Sequence, residues 1–318
     1  MAAYTPVADE RGSPEPAFRS SRFLRALAQA ERFARDRSAP ILIEGESGTG
    51  KTQLARHIHR HSPRAAASFR AVVMSTLDDS LASSELFGHV AGAYTDARSA
   101  RAGHFATAHG GTLFLDEIGK CSQSVQQKLL HAVEYGEIRP VGSDREVRVD
   151  ARVICATNGS LEQMTAGGHF LPDLYARLSS FRVRLPPLRE RRADIPIVVE
   201  FCVTRWAREC GYPRAPAVDI ALMSALQDAP WPNNLRQLDA TIHRLLVDAE
   251  GADRLTLDHC LDDLAYLRQE EKPIAGDLTP ARVSAAIERA GSISGAAKLL
   301  GVDRTTIHRF QRRSQPGD

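Results

Sequence analysis

The apolar positions of this chain follow two rhythms that alternate through its first 190 or so residues. Residues 20–36 place Phe23, Leu24, Leu27, Ala30 and Phe33 on one face at helical spacing, which predicts an amphipathic helix. Ile41-Leu-Ile43 is a short unbroken apolar run, followed by a glycine-rich turn and a helical pattern from Thr52 to His61. Two more unbroken runs, Thr112–Leu115 and Arg152–Ala156, read as buried strands, with helical patterns between them, notably 123–134. Short apolar strands alternating with helices predict an α/β fold, a parallel sheet covered on both faces. After Leu185-Pro-Pro187 the pattern is helical to about Tyr266. Residues 1–17, polar and proline-containing, predict a disordered tail, and residues 267–278, polar with no periodicity, predict a linker. The expected division is therefore 1–17 tail, 18–188 α/β unit, 189–266 helical unit, 267–278 linker and 279–318 a compact helical module.

Composition narrows the classes. The 318 residues suit about two domains. No apolar run approaches the roughly 20 residues that a membrane helix needs, and the first 20 residues lack the apolar core of a secretion signal. The five cysteines (Cys121, Cys155, Cys202, Cys210 and Cys260) are scattered without a C-x-x-C pair, which predicts reduced thiols in a cytoplasmic protein, with neither a disulfide framework nor a zinc site. The net charge of +2 is unevenly spread: residues 279–318 carry seven basic and three acidic side chains, so the rest is slightly acidic. That polarity is expected if the terminal module meets phosphate, although a solvated helical face explains the charge equally well.

The chemistry concentrates behind the first strand. Gly45-Glu46-Ser47-Gly48-Thr49-Gly50-Lys51-Thr52 matches the phosphate-loop pattern G-x-x-x-x-G-K-[ST], placed between a strand and a helix. Glycines let successive N–H groups turn inward on phosphate oxygens, and the helix N-terminus adds partial positive charge. Lys51 suits the β- and γ-phosphates of ATP, and the Thr52 hydroxyl suits Mg²⁺. Some 60 residues on, Leu113-Phe-Leu-Asp116-Glu117 is an apolar strand ending in two carboxylates. Asp116 fits ordering of the metal, and Glu117 fits a base that draws a proton from attacking water.

Between these sites lie Ser84-Glu-Leu-Phe-Gly-His89, Gly92-Ala93-Tyr94-Thr95-Asp96-Ala97 and Arg101-Ala-Gly-His-Phe-Ala106. Beyond them come Thr157-Asn158, Asp173-Leu-Tyr-Ala-Arg177-Leu, Leu185-Pro-Pro-Leu-Arg-Glu-Arg191 and Trp231-Pro-Asn-Asn-Leu-Arg236-Gln-Leu. In this order, over roughly residues 18 to 266, the motifs resemble the central domain of bacterial enhancer-binding proteins, the AAA+ activators of sigma-54 RNA polymerase. The resemblance implies an AAA+ fold with a helical lid, ATP hydrolysis in a homo-oligomeric ring, usually hexameric, and contact with sigma-54 through residues 92–97. It also implies that Asn158 senses the γ-phosphate, that Arg177 reaches into the neighbouring subunit's site, and that Arg236 reports nucleotide state from the lid. A guanidinium suits both arginine roles because it meets phosphate oxygens with several directed hydrogen bonds.

The terminal module, from Gly291 to Phe310, reads as two short helices around Gly301, with Asp303 as the second helix's N-cap. Ile307 and Phe310 face inward, leaving Arg304, Thr305, Thr306, His308, Arg309 and Arg312 for bases and phosphates. It resembles the Fis-type helix-turn-helix that closes many enhancer-binding proteins. One module covers a half-site, so a double-stranded inverted repeat bound by a dimer or higher oligomer is expected. A helical hairpin used for protein contacts is the plainer alternative.

Four positions depart from the family pattern. Asp96 stands where the loop motif has glycine, Val73 where an asparagine restrains the catalytic glutamate, and Leu171 where one of two inter-subunit arginines is usual. Thr52 stands where many relatives have glutamate, which restores the general phosphate-loop consensus. The family's N-terminal sensory domain has no counterpart in the residues before position 18, so control is expected from a regulatory protein in trans, from expression level, or from a segment that this sequence leaves out. Two functions follow: an ATP-hydrolysing, DNA-bound remodeller of sigma-54 polymerase, or a DNA-binding regulator whose nucleotide site controls assembly alone. The second would act on another polymerase form, as a repressor, or as a hetero-oligomer partner. An unfoldase or replication factor leaves the 84–97 segment unexplained. His57 and His61, at i and i+4, have the spacing of a metal pair; with no third ligand evident, surface histidines are the simpler expectation. Trp206 and Trp231 read as lid packing.

Overall fold

The computed structural model describes residues 18–77, 79–95, 97–249 and 251–260, together with Val283, Ala286, Ile287 and Ser292. The chain divides into two units, Met1–Leu255 and Thr256–Asp318. In chain order the first contains α1 (Ser21–Ala34), β1 (Ile41–Glu44), α2 (Lys51–Arg60), β2 (Phe69–Val73), α3 (Asp79–Phe87), α4 (His104–Thr107) and β3 (Thr112–Asp116). Then follow α5 (Gln123–Tyr135), β4 (Glu137–Ile138), β5 (Val147–Arg148), β6 (Arg152–Thr157), α6 (Leu161–Ala166), α7 (Pro172–Leu178) and β7 (Phe181–Arg184). A second group comprises α8 (Ile195–Glu209), β8 (Ala217–Val218), α9 (Ile220–Asp228), α10 (Asn234–Asp248) and β9 (Arg254–Leu255).

Five strands form one parallel sheet in the order β2-β3-β6-β1-β7. The unbroken apolar runs make its three central strands, and alternation sorts their side chains between two cores. Leu42, Leu113, Leu115, Val153 and Cys155 point to one face, under Phe87, Phe105, Leu129, Leu174 and Leu178. Ile41, Ile43, Phe114, Ile154 and Ala156 point to the other, under Leu27 and Ala30 of α1 and Leu54 and Ile58 of α2. Burial pushes the Cys155 thiol, and likewise the Cys202 thiol, far above the ordinary thiol range, which makes both poor nucleophiles. Cys121 and Cys260 are buried as well, and Cys210 is exposed.

A buried cation holds α1 against this sheet. Arg152, 1% exposed at the start of β6, donates to the carbonyls of Phe33 (2.6 Å), Ala34 (2.9 Å) and, at longer range, Ala39 (3.4 Å). The first two are helix-end carbonyls, and a guanidinium meets both their hydrogen-bonding need and the negative end of the helix dipole. Leaving such carbonyls bare would cost on the order of 3 kcal/mol, while burial draws the Arg152 pKa down.

Two expectations are corrected. The region after Pro187 is not wholly helical, because Ala217–Val218 pairs in parallel with Arg254–Leu255 across the helical layer. The histidines at 57 and 61 are not a surface pair: His57 is buried, and Glu31 of α1 lies against it. The expected roles of Trp206 and Trp231 hold. Trp231 is fully buried and donates to Leu226 O (2.7 Å), and Trp206 stacks on His243 at 3.9 Å. Leu171, in the place of the usual arginine, is half-buried at the N-cap of α7 and packs into the core containing Leu129 and Leu174.

In the second unit, Leu257–Cys260 form a 3₁₀ turn, and Val283 and Ala286 are buried helical residues. The expected tail 1–17, linker 267–278 and DNA-contact residues Arg304, Thr305, Thr306, His308, Arg309 and Arg312 lie outside the described residues, as does Asp96. Among the described residues no helix is long and apolar enough to cross a membrane.

Candidate functional site

The C-terminal ends of β1, β3 and β6 converge on the Gly45–Thr52 loop. Gly45 N–H donates to Thr157 O at the end of β6 (3.2 Å), which fixes the loop beside Asn158, an exposed residue. Gly48 and Gly50 have φ of +74° and +101°, a conformation that L side chains rarely adopt and that turns the loop back into the head of α2. Lys51 opens α2, and its Nζ donates to Gly45 O (2.8 Å) and Glu46 O (3.0 Å). Burial draws the Lys51 pKa down, while Asp116 and Glu117 pull it back up. Thr52 Oγ1 lies 3.4 Å from Asp116 Oδ2, so the hydroxyl and carboxylate share one edge of the loop. Asp116 Oδ1 in turn accepts the Glu117 N–H (3.0 Å).

Glu117 has φ +57° and ψ +43°, left-handed for a residue with a side chain. Such a conformation costs about 1–3 kcal/mol and persists only where its surroundings enforce it. Here it ends β3 abruptly and separates Glu117 from the direction of Asp116. Val73 of β2 is the register partner of Asp116, and the residue is 41% exposed. An isopropyl group there offers the two carboxylates no hydrogen bond.

The helical layer is fastened to this loop at several points. Leu235 N–H donates to Gly48 O (2.9 Å). Asn234 is fully buried and satisfied: its amide donates to Ser47 O (2.9 Å) and Glu46 Oε2 (3.2 Å), and its oxygen accepts the Leu188 N–H (2.7 Å). Arg189 grips Glu46 with two bonds of 2.6 and 2.7 Å, holding that carboxyl below its usual pKa. Arg236 Nη1 donates to Ser47 Oγ (2.9 Å). Thr49 is buried, and its carbonyl accepts from Arg191, 1% exposed, which lies over the Phe23 ring at 4.8 Å. Burial pulls the Arg191 pKa down to about 10. Sequence motifs contained Arg189, Arg191 and Asn234, but nothing in their spacing marked partners some 140 to 190 residues away.

A Cβ at Gly48 would lie 2.1 Å from Asn233 O. Gly48→Ala is therefore expected to weaken ATP binding at least about tenfold, since strain above 1.4 kcal/mol already suffices. Titration with a fluorescent ATP analogue measures this. Gly110→Ala is the control: φ there is +76°, but nothing lies within 4 Å.

Arg177 is placed elsewhere. It sits in the last turn of α7 and pairs with Glu134 of α5. The 92–97 loop is closed by a Gly92 N–H to Ala97 O bond (2.8 Å), with Tyr94 edge-on to His89 at 5.1 Å and Thr95 exposed. His89 anchors the stem: Ser84 Oγ lies 2.7 Å from Nδ1, and Nε2 donates to Ser99 O (3.0 Å). Ala93 abuts Gly142 so closely that a Cβ on the glycine would lie 2.8 Å from the alanine methyl.

A phosphate loop, a two-carboxylate strand end and a docked helical lid on one parallel sheet narrow the comparison to AAA+ proteins. The family model described as the Sigma-54 interaction domain matches residues 17–184, and that of the AAA+ ATPase lid domain matches 189–276. The chain belongs to the Sigma-54 interaction domain family of AAA+ ATPases. Among curated relatives, it is 39% identical over 300 residues to the Nif-specific regulatory protein of Azotobacter vinelandii, covering 90% of this chain and 56% of that protein. It is 47% identical over 221 residues to the DNA-binding transcriptional regulator NtrC of Escherichia coli K12, covering 70% of this chain and 47% of that protein. The chain thus spans about half the length of these relatives. Among solved structures, NtrX from Brucella abortus in complex with ATP superposes with a TM-score of 0.71 at 32% identity, covering 95% of this chain and 69% of that one. The expected fold class, a parallel-sheet AAA+ unit with a helical lid, is borne out.

Proposed function

We propose that this chain is an ATP-hydrolysing transcriptional activator that remodels sigma-54 RNA polymerase holoenzyme as a homo-oligomeric ring, hexameric when active, while bound to DNA. The observation that carries the reading is the meeting of Lys51, Thr52 and Asp116 at one loop, with Glu117 turned out beside them. The residues fit ATP and Mg²⁺: an ammonium stands among loop carbonyls, and a hydroxyl and a carboxylate lie together at 3.4 Å. Gly45 to Gly50 and Lys51 would cradle the phosphates, and Thr52 and Asp116 would hold the metal. When bound, Mg²⁺ neutralises charge on the transferring phosphoryl group. Glu117 takes the proton of the attacking water, Asn158 orients from the end of β6, and Arg236 bears on the loop from the lid. Arg177 acts on the site of the neighbouring subunit.

The 92–97 loop is the sigma-54 contact in this reading, with Tyr94 and Thr95 exposed at its tip. Residues 279–318 form the DNA-binding module, which reads an inverted repeat through Arg304, Thr305, Thr306, His308, Arg309 and Arg312. Residues 18–188 and 189–266 are the two AAA+ subdomains. The role in transcription supports a cytoplasmic location.

Val73 favours a second reading, a regulator that binds nucleotide to assemble but does not engage sigma-54. It sets an apolar side chain opposite Asp116 at the catalytic end of β3. Transcription from a sigma-54 promoter in a purified system, with ATP, tests both. Activity in the natural protein is expected under the first reading. Silence with ATP hydrolysis intact, relieved by Asp96→Gly, would establish the second and place the fault at the loop tip.

A further inference from the structure

Glu31 of α1, His57 of α2 and His61 at the C-cap of α2 form a compact cluster where the two helices pack together. One carboxylate oxygen and one ring nitrogen from each histidine all lie within 4.8 Å of one another. Glu31 Oε1 and His57 Nε2 are 3.2 Å apart. For bonds of roughly 2.0–2.2 Å, two ligands of a tetrahedral zinc site stand about 3.3–3.6 Å apart, so this pair already has the edge length of such a site. His61 is the third member. His61 Nδ1 donates to the His57 carbonyl at 2.9 Å, which fixes the tautomer and leaves the lone pair on Nε2. Metal-bound histidines are commonly held in this way, by a backbone carbonyl on the other ring nitrogen.

The setting also favours a cation. His61 is the C-cap of α2, where the last-turn carbonyls carry partial negative charge. His57 is buried, Glu31 is half-buried and His61 is exposed, so the cluster opens to solvent on one side. A site with three protein ligands and a water in the fourth position has this form. Two imidazoles and one carboxylate suit a borderline divalent transition ion, whereas Mg²⁺ prefers oxygen ligands throughout.

We propose that Glu31, His57 and His61 bind a zinc-type divalent ion that cross-links α1 to α2, the helix whose other end carries Lys51 and Thr52. The ion is additional to any Mg²⁺ at Thr52 and Asp116, and the proposal stands whether or not the chain hydrolyses ATP. It predicts that the last turn of α1 is held twice, by metal at Glu31 and by Arg152 at the carbonyls of Phe33 and Ala34.

The test is calorimetric titration of the tag-free full chain with Zn²⁺, in buffer containing Mg²⁺, alongside Co²⁺ absorption as a probe of coordination. One equivalent of metal, the visible bands of tetrahedral Co²⁺ and a raised Tm are expected. Glu31→Gln and His61→Ala alter side chains that reach solvent, so each should keep the parent's far-UV spectrum while weakening binding at least about tenfold. The double variant should lose both the equivalent and the Tm rise. Equal affinity in the parent and the double variant would show that the ion sits elsewhere, and no binding to the parent at a twofold excess of metal would overturn the site outright.

Discussion

Arg177→Ala is expected to cut ATP turnover by about a thousandfold or more while leaving ATP affinity within about threefold. Arg177 occupies the last turn of α7 and pairs there with Glu134, whereas Lys51, Thr52 and Asp116 lie at the C-terminal end of the sheet. An arginine that completes a neighbour's site should be invisible to nucleotide binding by an isolated chain and decisive for the chemistry. A mixing experiment makes the assignment sharp. Arg177→Ala and Glu117→Gln chains, each inactive alone, should regain turnover when combined, because a Glu117→Gln chain can offer its Arg177 to an intact Glu117 next door. A mixture that stays silent at every ratio would mean that Arg177 serves its own chain or none.

Glu117→Gln should lower turnover by about 10²- to 10⁴-fold with ATP still bound, the ordinary range for removal of a general base. Glutamine keeps the size and hydrogen-bonding shape of the side chain, so the left-handed backbone at φ +57° is not disturbed. Single-turnover hydrolysis and equilibrium ATP binding, measured side by side, separate the two effects. Parental turnover in this variant would remove Glu117 from the chemistry and turn attention to Asp116. Val73 bears on the same experiment. With no hydrogen-bonding side chain opposite Asp116 on β2, Val73→Asn should change the idle rate of the enzyme, and a rate already insensitive to residue 73 would make that position irrelevant to control.

Much of the nucleotide unit was legible because its central strands are buried on both faces. β1, β3 and β6 appear as uninterrupted apolar runs, and the phosphate loop follows the first of them. The two edge strands escaped the same reading for a physical reason. Phe69–Val73 and Phe181–Arg184 each bury little, and arginines interrupt their apolar residues. The β8–β9 pair is only two residues long on each side and joins segments 37 positions apart (Ala217 to Arg254), a pairing that periodicity cannot reveal. The network at Glu46 was hidden likewise. Arg189 and Asn234 lie 143 and 188 residues from it, and only the fold makes them neighbours. His57 was misjudged because a helix pattern gives the face a residue occupies but not the helix that covers it.

The attachment of α10 to the phosphate loop has a mechanical reading. The 15 residues of this helix span roughly 22 Å, and its first residues are the ones bonded to Glu46, Ser47 and Gly48. With that end as fulcrum, a tilt of about 10° displaces the other end by about 4 Å. The helix ends at Asp248, and the second unit begins only eight positions later, at Thr256. A small rearrangement around a phosphate would thus be lengthened, as by a lever arm, before it reached the far end of α10.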